Sequence, residues 1–177
     1  LDDVLVQDSV VTGAAGSGIL LRQVTNGTVR NNLIYDNAEW GIAIDNSLGA
    51  AVATGQLVER NTSSFNGTGD LRLANARGVV RDNLLTDTSG IGLRIDTAGS
   101  TLLNNAFDQT TRDVDPDRYV ADSCTGCSGN LRRAARFRLL AGLVDVRGGA
   151  GWADDDFRLA QTAAGDAAQS EAVDAGS

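Results

Sequence analysis

The stretch VRNNLIYDN at residues 29–37, followed by GIAID at residues 41–45, contains the pattern that decides the fold. Val29 is followed 13 residues later by Ile42, and Ile44 comes two residues after that. Closely similar stretches, VRDNLL and GLRID, occupy residues 80–85 and 92–96. Strict alternation of apolar and polar residues, as in GIAID, indicates a short β-strand with one buried face.

The same spacing recurs four times along the first hundred residues. The first members are Val6, Val29, Val58 and Val80, and the second members are Ile19, Ile42, Leu71 and Leu93. Successive units advance by 23, 29 and 22 residues, and Leu102 begins another unit after a further 22. A repeat of about 20 to 50 residues is typical of a solenoid. One coil cannot bury its own apolar side, so stacking of the coils must supply the stability.

Asparagine repeats in phase with these apolar positions. The residues three places after the first members are Ser9, Asn32, Asn61, Asn83 and Asn105. Asparagine tolerates left-handed turns and hydrogen-bonds nearby backbone, so we expect a ladder in which stacked side-chain amides satisfy one another. The alternative is a set of ordinary surface turns, which would need no periodicity.

Composition limits the possible partners. The 177 residues fit one domain, and the net charge of −8 argues against binding to nucleic acid or to an anionic membrane. No apolar stretch is long enough to insert into a membrane. The chain contains no His, which removes the commonest acid–base group and metal ligand.

The stretches VRNNLIYDN and GIAID resemble the right-handed parallel β-helix family, the pectate-lyase-like solenoids, over roughly residues 1–120. The resemblance implies an all-β, right-handed parallel β-helix of about five coils with an irregular C-terminal cap. We expect coils over residues 1–117, and a cysteine loop and capping segment of the same domain over 118–177. Lyases, hydrolases, epimerases and adhesins share this fold, so the resemblance does not specify an activity.

The two ends of the chain and its longest step lead to further expectations. DDDFRL at 154–159 and AVDAGS at 172–177 are similar to the closing segment of many secreted bacterial β-helix proteins, which implies a secreted or cell-surface location. The basic apolar run at 131–143 is compatible with a capping helix or a covering strand. The extra residues of the 29-residue step predict a protruding loop over 46–56. We also expect adjoining β-helix coils or a partner chain to cover the first coil, because an open solenoid end aggregates.

Charged residues occupy the outward positions of the second strand in each unit. One column contains Leu20, Ala43, Arg72, Arg94 and Asp115, and the next contains Arg22, Asp45, Ala74, Asp96 and Asp117. Arginine forks grip carboxylates, so these positions predict a site for an acidic sugar. The residues expected to contact carbohydrate are Arg22, Asp45, Arg72 and Arg94, with Trp40 stacking on a sugar ring. The alternative is a surface ladder of alternating charge that keeps stacked strands soluble.

Aspartates near the end of the repeat suggest a metal site. Asp113, Asp115 and Asp117 alternate along the chain, and Asp96 is expected nearby, so together they could bind Ca²⁺. Asp113 also aligns with Asp70 in the repeat, which favours a structural role. β-Helix lyases use a comparable combination with Arg or Lys as the base, and the resemblance therefore implies Arg72 or Arg94 as the catalytic base.

The two cysteines, Cys124 and Cys127, are the only ones in the chain. A zinc site would need two more Cys or His ligands, which the sequence lacks. A loop-closing disulfide in an oxidising compartment is therefore the better prediction.

Two functions remain open from the sequence. The first is a secreted or cell-surface scaffold or recognition module that contacts extracellular polysaccharide. The second is part of a Ca²⁺-dependent polysaccharide lyase that acts on a uronate-containing glycan. They predict different surfaces, because a lyase needs a concave cleft over the charged residues, whereas a scaffold needs a flat ladder in which each Arg is paired with an Asp.

Overall fold

The structure is a computed structural model and describes residues 1–86, 91–108, 112–114, 131–132, 137–139 and 156–159. Within these residues the chain forms strands and contains no helix. Three strands make up each coil. The first coil is β1 Leu5–Gln7, β2 Val10–Thr12 and β3 Ile19–Arg22, and the second is β4 Thr28–Arg30, β5 Leu33–Tyr35 and β6 Trp40–Asp45. The third is β7 Ala53–Glu59, β8 Thr62–Ser64 and β9 Gly69–Ala74.

Two more coils and a short C-terminal group of strands follow. The fourth coil is β10 Ala76–Arg81, β11 Leu84–Thr86 and β12 Ile91–Ile95, and the fifth is β13 Thr101–Leu103, β14 Ala106–Asp108 and β15 Arg112–Val114. The remaining strands are β16 Leu131–Arg132, β17 Phe137–Leu139 and β18 Asp156–Leu159. The basic apolar run at 131–143 was compatible with a helix or a strand, and its described residues form strands.

Each coil contributes one strand to each of three parallel sheets. The first sheet has the order β1-β4-β7-β10-β13, the second β16-β14-β11-β8-β5-β2 and the third β15-β12-β9-β6-β3. Strands β17 and β18 form a separate antiparallel pair. The expected all-β parallel β-helix of about five coils is confirmed.

The apolar columns predicted from the spacing are the core of the stack. Val6, Val29, Val58, Val80 and Leu102 pair in register along the first sheet. Ile42, Leu71 and Leu93 stack likewise in the third sheet and are fully buried. Val114 continues the third-sheet column above Leu93, as the alignment of Asp113 with Asp70 predicts. Rungs about 4.8 Å apart let small aliphatic side chains touch their equivalents above and below.

The expected asparagine ladder is present, and we call it the first ladder: Ser9, Asn32, Asn61, Asn83 and Asn105. The Oδ1 atom of Asn61 accepts hydrogen bonds from the backbone N of Asn32 at 3.1 Å and from its Nδ2 at 3.0 Å. The Nδ2 of Asn61 donates to Oδ1 of Asn83 at 3.0 Å and to the Val29 carbonyl at 2.9 Å. All four ladder asparagines are buried. Each one therefore satisfies backbone groups that the turn leaves without a sheet partner.

The extra residues between the second and third coils form a loop at one corner, between β6 and β7. Strand β7 begins at Ala53, so the loop is shorter than the predicted 46–56, and Gln56 is buried within the strand. The Gln56 Nε2 donates to the Val24 carbonyl at 2.7 Å, and its Oε1 accepts from the Gly27 N at 3.2 Å. Leu48 is 75% exposed, as expected for a protruding loop.

Candidate carbohydrate-binding face

The outer side of the third sheet carries the charged residues that the sequence places together. We call Arg22, Asp45, Arg72, Arg94 and Asp96 the charged face. Arg22 pairs in register with Asp45, and Arg72 with Arg94. The backbone N of Asp96 donates to the Leu73 carbonyl, which puts Asp96 level with Ala74. The structure thus brings all five residues onto one surface, as strand alternation predicts.

One carboxylate holds both arginines that were candidates for the catalytic base. The Oδ2 of Asp96 accepts from the Arg72 Nε at 3.3 Å and from its Nη2 at 3.2 Å. The Oδ1 of Asp96 accepts from the Arg94 Nε at 2.8 Å. The two arginine side chains are each about a third exposed, at 31% and 32%, whereas Asp96 is only 15% exposed. The aspartate therefore fixes the two guanidinium groups one rung apart on the surface.

The contacts on the charged face lower the pKa values of its two aspartates. Burial opposes ionisation of Asp96, but hydrogen bonds from Arg94 and Arg72, together with their positive charges, outweigh it and hold the pKa of Asp96 below its usual value. Hydrogen bonds from the side chain and backbone N of Ser47 lower the pKa of Asp45, and Arg72 and Arg22 add to the effect. Positive and negative side chains are therefore interspersed on the charged face, and both aspartates are ionised at neutral pH.

These lowered pKa values predict an acid-dependent loss of stability. A carboxyl whose pKa is lower in the folded than in the unfolded protein stabilises the fold above the unfolded pKa of about 4, and this contribution is lost as the pH falls through the folded pKa. We expect an Asp96→Asn variant to lose less stability than the wild type between about pH 6 and about pH 2. Urea denaturation at several pH values measures this. Identical pH profiles for the two proteins would show that Asp96 does not contribute to the dependence.

The ion pairs bear on the catalytic prediction. A guanidinium offers hydrogen-bond donors and no acceptor. Both arginines are bound to Asp96, which is the arrangement expected of a paired surface ladder. Among the described residues, the observed contacts therefore favour the ladder over a site with a free arginine base.

Trp40 does not take the position expected of a sugar-stacking residue. Its side chain is only 7% exposed, and it packs where Gly69 of the next coil leaves room. A Cβ at Gly69 would lie 2.7 Å from the Trp40 ring. This burial leaves little of the Trp40 ring open to a ligand, and stacking of Trp40 on a sugar stays a prediction.

The predicted calcium ligands are only partly described. Both carboxylate oxygens of Asp96 already accept hydrogen bonds from arginine, which does not suit a cation ligand. Asp113 lies on β15 next to Val114, and Asp115 and Asp117 fall outside the described residues. The described residues contain no group of three or more acidic, His or Cys side chains that could hold a metal ion. Cys124 and Cys127, and hence the predicted disulfide, also lie outside the described part.

Ser47 contributes to the face and was missed by the sequence reasoning. Its backbone N donates to the Asp45 Oδ1 at 2.8 Å, which fixes that carboxylate at the end of β6. The signal was present, because Asp followed two residues later by a turn residue commonly forms such a local hydrogen bond.

Comparison with known proteins agrees with this architecture. A family model described as the right-handed beta helix region matches residues 2–127, which are 126 of the 177 residues. The chain therefore belongs to the right-handed β-helix family. Neither the curated proteins nor the solved structures gave a match. In the described part of the chain, no helix has the length and apolar character needed to cross a bilayer.

Proposed function

We propose that the chain is a β-helical recognition module that binds extracellular polysaccharide through the charged face. The supporting observation is the pair of arginines held one rung apart by Asp96. Asp96 accepts two of the five N–H groups of Arg72, so this guanidinium retains donors for sugar oxygens. The proposal includes a secreted or cell-surface location, because that is where such a ligand occurs.

The parallel stacking of the strands in register favours an extended ligand. Arg22, Asp45 and Arg72 lie on three successive coils, so a polymer along the solenoid axis meets a charged side chain about every 4.8 Å. Neighbouring positions are small, since Ala43 and Ala74 lie between the charges and are buried. The charged side chains are therefore separated by small ones, which leaves them accessible to the hydroxyl groups and carboxylates of a sugar.

Binding measurements on arginine variants test this proposal. We expect an Arg72→Ala variant to bind a responsive polysaccharide about tenfold more weakly, the loss typical of one charge-assisted hydrogen bond. The panel contains acidic and neutral polysaccharides, and binding is measured by calorimetry. The control is Arg30→Ala, which removes the same charge from the first sheet, where the Arg30 Nε donates to Gln7 Oε1 at 2.8 Å. Equal affinity of Arg72→Ala and the wild type would contradict the proposal.

The same samples examine the lyase alternative. Cleavage by a lyase leaves an unsaturated sugar that absorbs in the ultraviolet, so turnover is measured directly. We expect no product from any polysaccharide that binds, with or without Ca²⁺. Product that disappears with chelator and in an Arg94→Ala variant would replace the binding module with a Ca²⁺-dependent lyase.

A further inference from the structure

The loop at 47–52 lies directly beside the charged face and contains no charged residue. It follows Asp45, which ends β6. The Asn46 carbonyl accepts a hydrogen bond from the Gly49 N at 2.9 Å, so Leu48 occupies the third position of a β-turn. Leu48 is exposed, and an apolar side chain therefore projects into solvent next to the charged face.

Both ends of the loop are attached to neighbouring residues of the third coil. The backbone N of Asn46 donates to the Ala74 carbonyl at 2.9 Å, and the N of Ala53 donates to the Asn75 carbonyl at 3.0 Å. Within the loop, the Asn46 Nδ2 donates to the Ala51 carbonyl at 2.7 Å. The backbone of the loop is therefore fixed where it leaves the stack and where it returns.

Asn75 holds the loop from the third coil. Its Nδ2 lies within hydrogen-bond distance of three loop carbonyl oxygens, those of Asn46 at 3.1 Å, Gly49 at 3.1 Å and Ala51 at 3.3 Å. Asn75 has a φ of 47°, a left-handed conformation that asparagine tolerates. One amide thus contacts the beginning, the middle and the end of the loop. The turn that carries Leu48 is ordered before a ligand arrives, which lowers the entropy cost of binding.

Asp45 connects the loop to the arginines of the charged face. Its Oδ1 accepts from the Ser47 N at 2.8 Å. Arg22 is in register with Asp45 on the first coil, and the positive charges of Arg72 and Arg22 both act on its carboxylate. Leu48 follows Asp45 by three residues, so an apolar contact and charged groups of both signs lie close together at this edge.

We infer that Leu48 is a specificity-determining residue, which packs against the apolar C–H face of a sugar unit bound by Asp45 and Arg72. The inference rests on the proposed function. A sugar ring combines C–H faces with polar edges, so this arrangement of groups suits it. In solenoids, insertions within a repeat often lie on the binding face. Asn75 is the positioning residue, because it holds the turn that presents Leu48.

Calorimetry with a polysaccharide that binds the wild type tests the role of Leu48. We expect Leu48→Ala to bind about fivefold more weakly, the factor given by burial of roughly 40 Å² of apolar surface. The matched control is Leu5→Ala, which shortens a leucine that is 52% exposed on the first sheet, and we expect its affinity to be unchanged. Equal affinity of Leu48→Ala and the wild type would overturn the inference.

A second variant tests the positioning role of Asn75. Asn75→Gly removes the side-chain amide, and glycine adopts the left-handed conformation without strain. We expect weaker binding, by no more than the factor for Leu48→Ala. If Asn75 acts through Leu48, the double variant binds as Leu48→Ala does, whereas additive losses would show that Asn75 does not act by presenting this side chain.

Arg72→Ala, measured in the same experiment, separates this inference from the proposed function. Weaker binding by Arg72→Ala with no effect of Leu48→Ala would overturn the inference alone. Weaker binding by Leu48→Ala with no effect of Arg72→Ala would contradict the proposed function and the shared contact with the sugar. Failure of the wild type to bind any polysaccharide of the panel would overturn both.

Discussion

Replacement of Asn61 by alanine is expected to lower the free energy of unfolding by about 3 to 5 kcal/mol. The side chain is 1% exposed and makes four hydrogen bonds, two as acceptor from Asn32 and two as donor to Asn83 and the Val29 carbonyl. Alanine leaves the two Asn32 donors buried without this acceptor, and an unsatisfied buried polar group costs about 1 to 3 kcal/mol. The loss is a large fraction of the total stability of an ordinary domain.

Equilibrium urea denaturation of the purified protein measures this effect. The control is Thr54→Ala, which removes an exposed polar side chain from the same coil as Asn61 but outside the ladder. We expect the control to change the free energy of unfolding by less than about 0.5 kcal/mol, as is usual for surface substitutions. A similar small change for Asn61→Ala would mean that the ladder does not stabilise the stack.

Substitution of Gly78 by alanine is expected to destabilise the protein by about 3 kcal/mol or more, at the upper end of overpacking effects. A Cβ at this position would overlap the carbonyl oxygen of Gln56 and would lie 2.6 Å from its carbonyl carbon. These atoms belong to the backbone of the neighbouring strand, so no side-chain rotation relieves the overlap. The strands β7 and β10 also shift register here, between the pairs Ala76–Ala53 and Gly78–Gln56.

Thermal and urea unfolding of the Gly78→Ala protein test this expectation. The matched control is Gly16→Ala, because the nearest heavy atom to a Cβ at Gly16 is the Glu39 Oε2 at 3.8 Å, an ordinary contact. Both variants add one methyl group in place of a glycine hydrogen, so only the local space differs. If Gly78→Ala unfolds at the same urea concentration as Gly16→Ala, the close approach of the two strands is not needed for stability.

The coil stack could be predicted because each coil repeats a contact that the sequence displays. Val29 and Val58 are 29 residues apart, yet they pair directly, and the same offset relates Ile42 to Leu71. The charged face was predictable for the same reason, because alternation assigns Arg72 and Arg94 to the outside once Leu71 and Leu93 are inside. Spacing therefore determines both the core and the surface of each strand.

Corners and pairing partners were harder to predict. Trp40 lies in the first position of β6, where the sheet meets a turn, and its burial depends on the empty space at Gly69 in another coil. The hydrogen bond from the Asn37 Nδ2 to the Asn66 Oδ1, at 2.9 Å, was missed although the two residues are separated by the full 29-residue step. They lie outside the position at which the first ladder was sought. That Arg72 and Arg94 both hydrogen-bond to Asp96 could not be predicted, because it depends on side-chain rotamers and the repeat spacing does not determine them.

Because of the exposed loop at 47–52, the second coil can contain more residues than the others without a change in the spacing between stacked strands. Strands on either side of it keep an offset of 29 residues in all three sheets, at Val29–Val58, Ile34–Ser63 and Ile42–Leu71. The additional residues protrude at one corner, and the strands of the next coil keep their register with those of the coil before. This corner is therefore a natural insertion point, where a foreign peptide could be grafted for display, or an enlarged loop acquired in evolution, while the strands on both sides continue to stack at the same spacing.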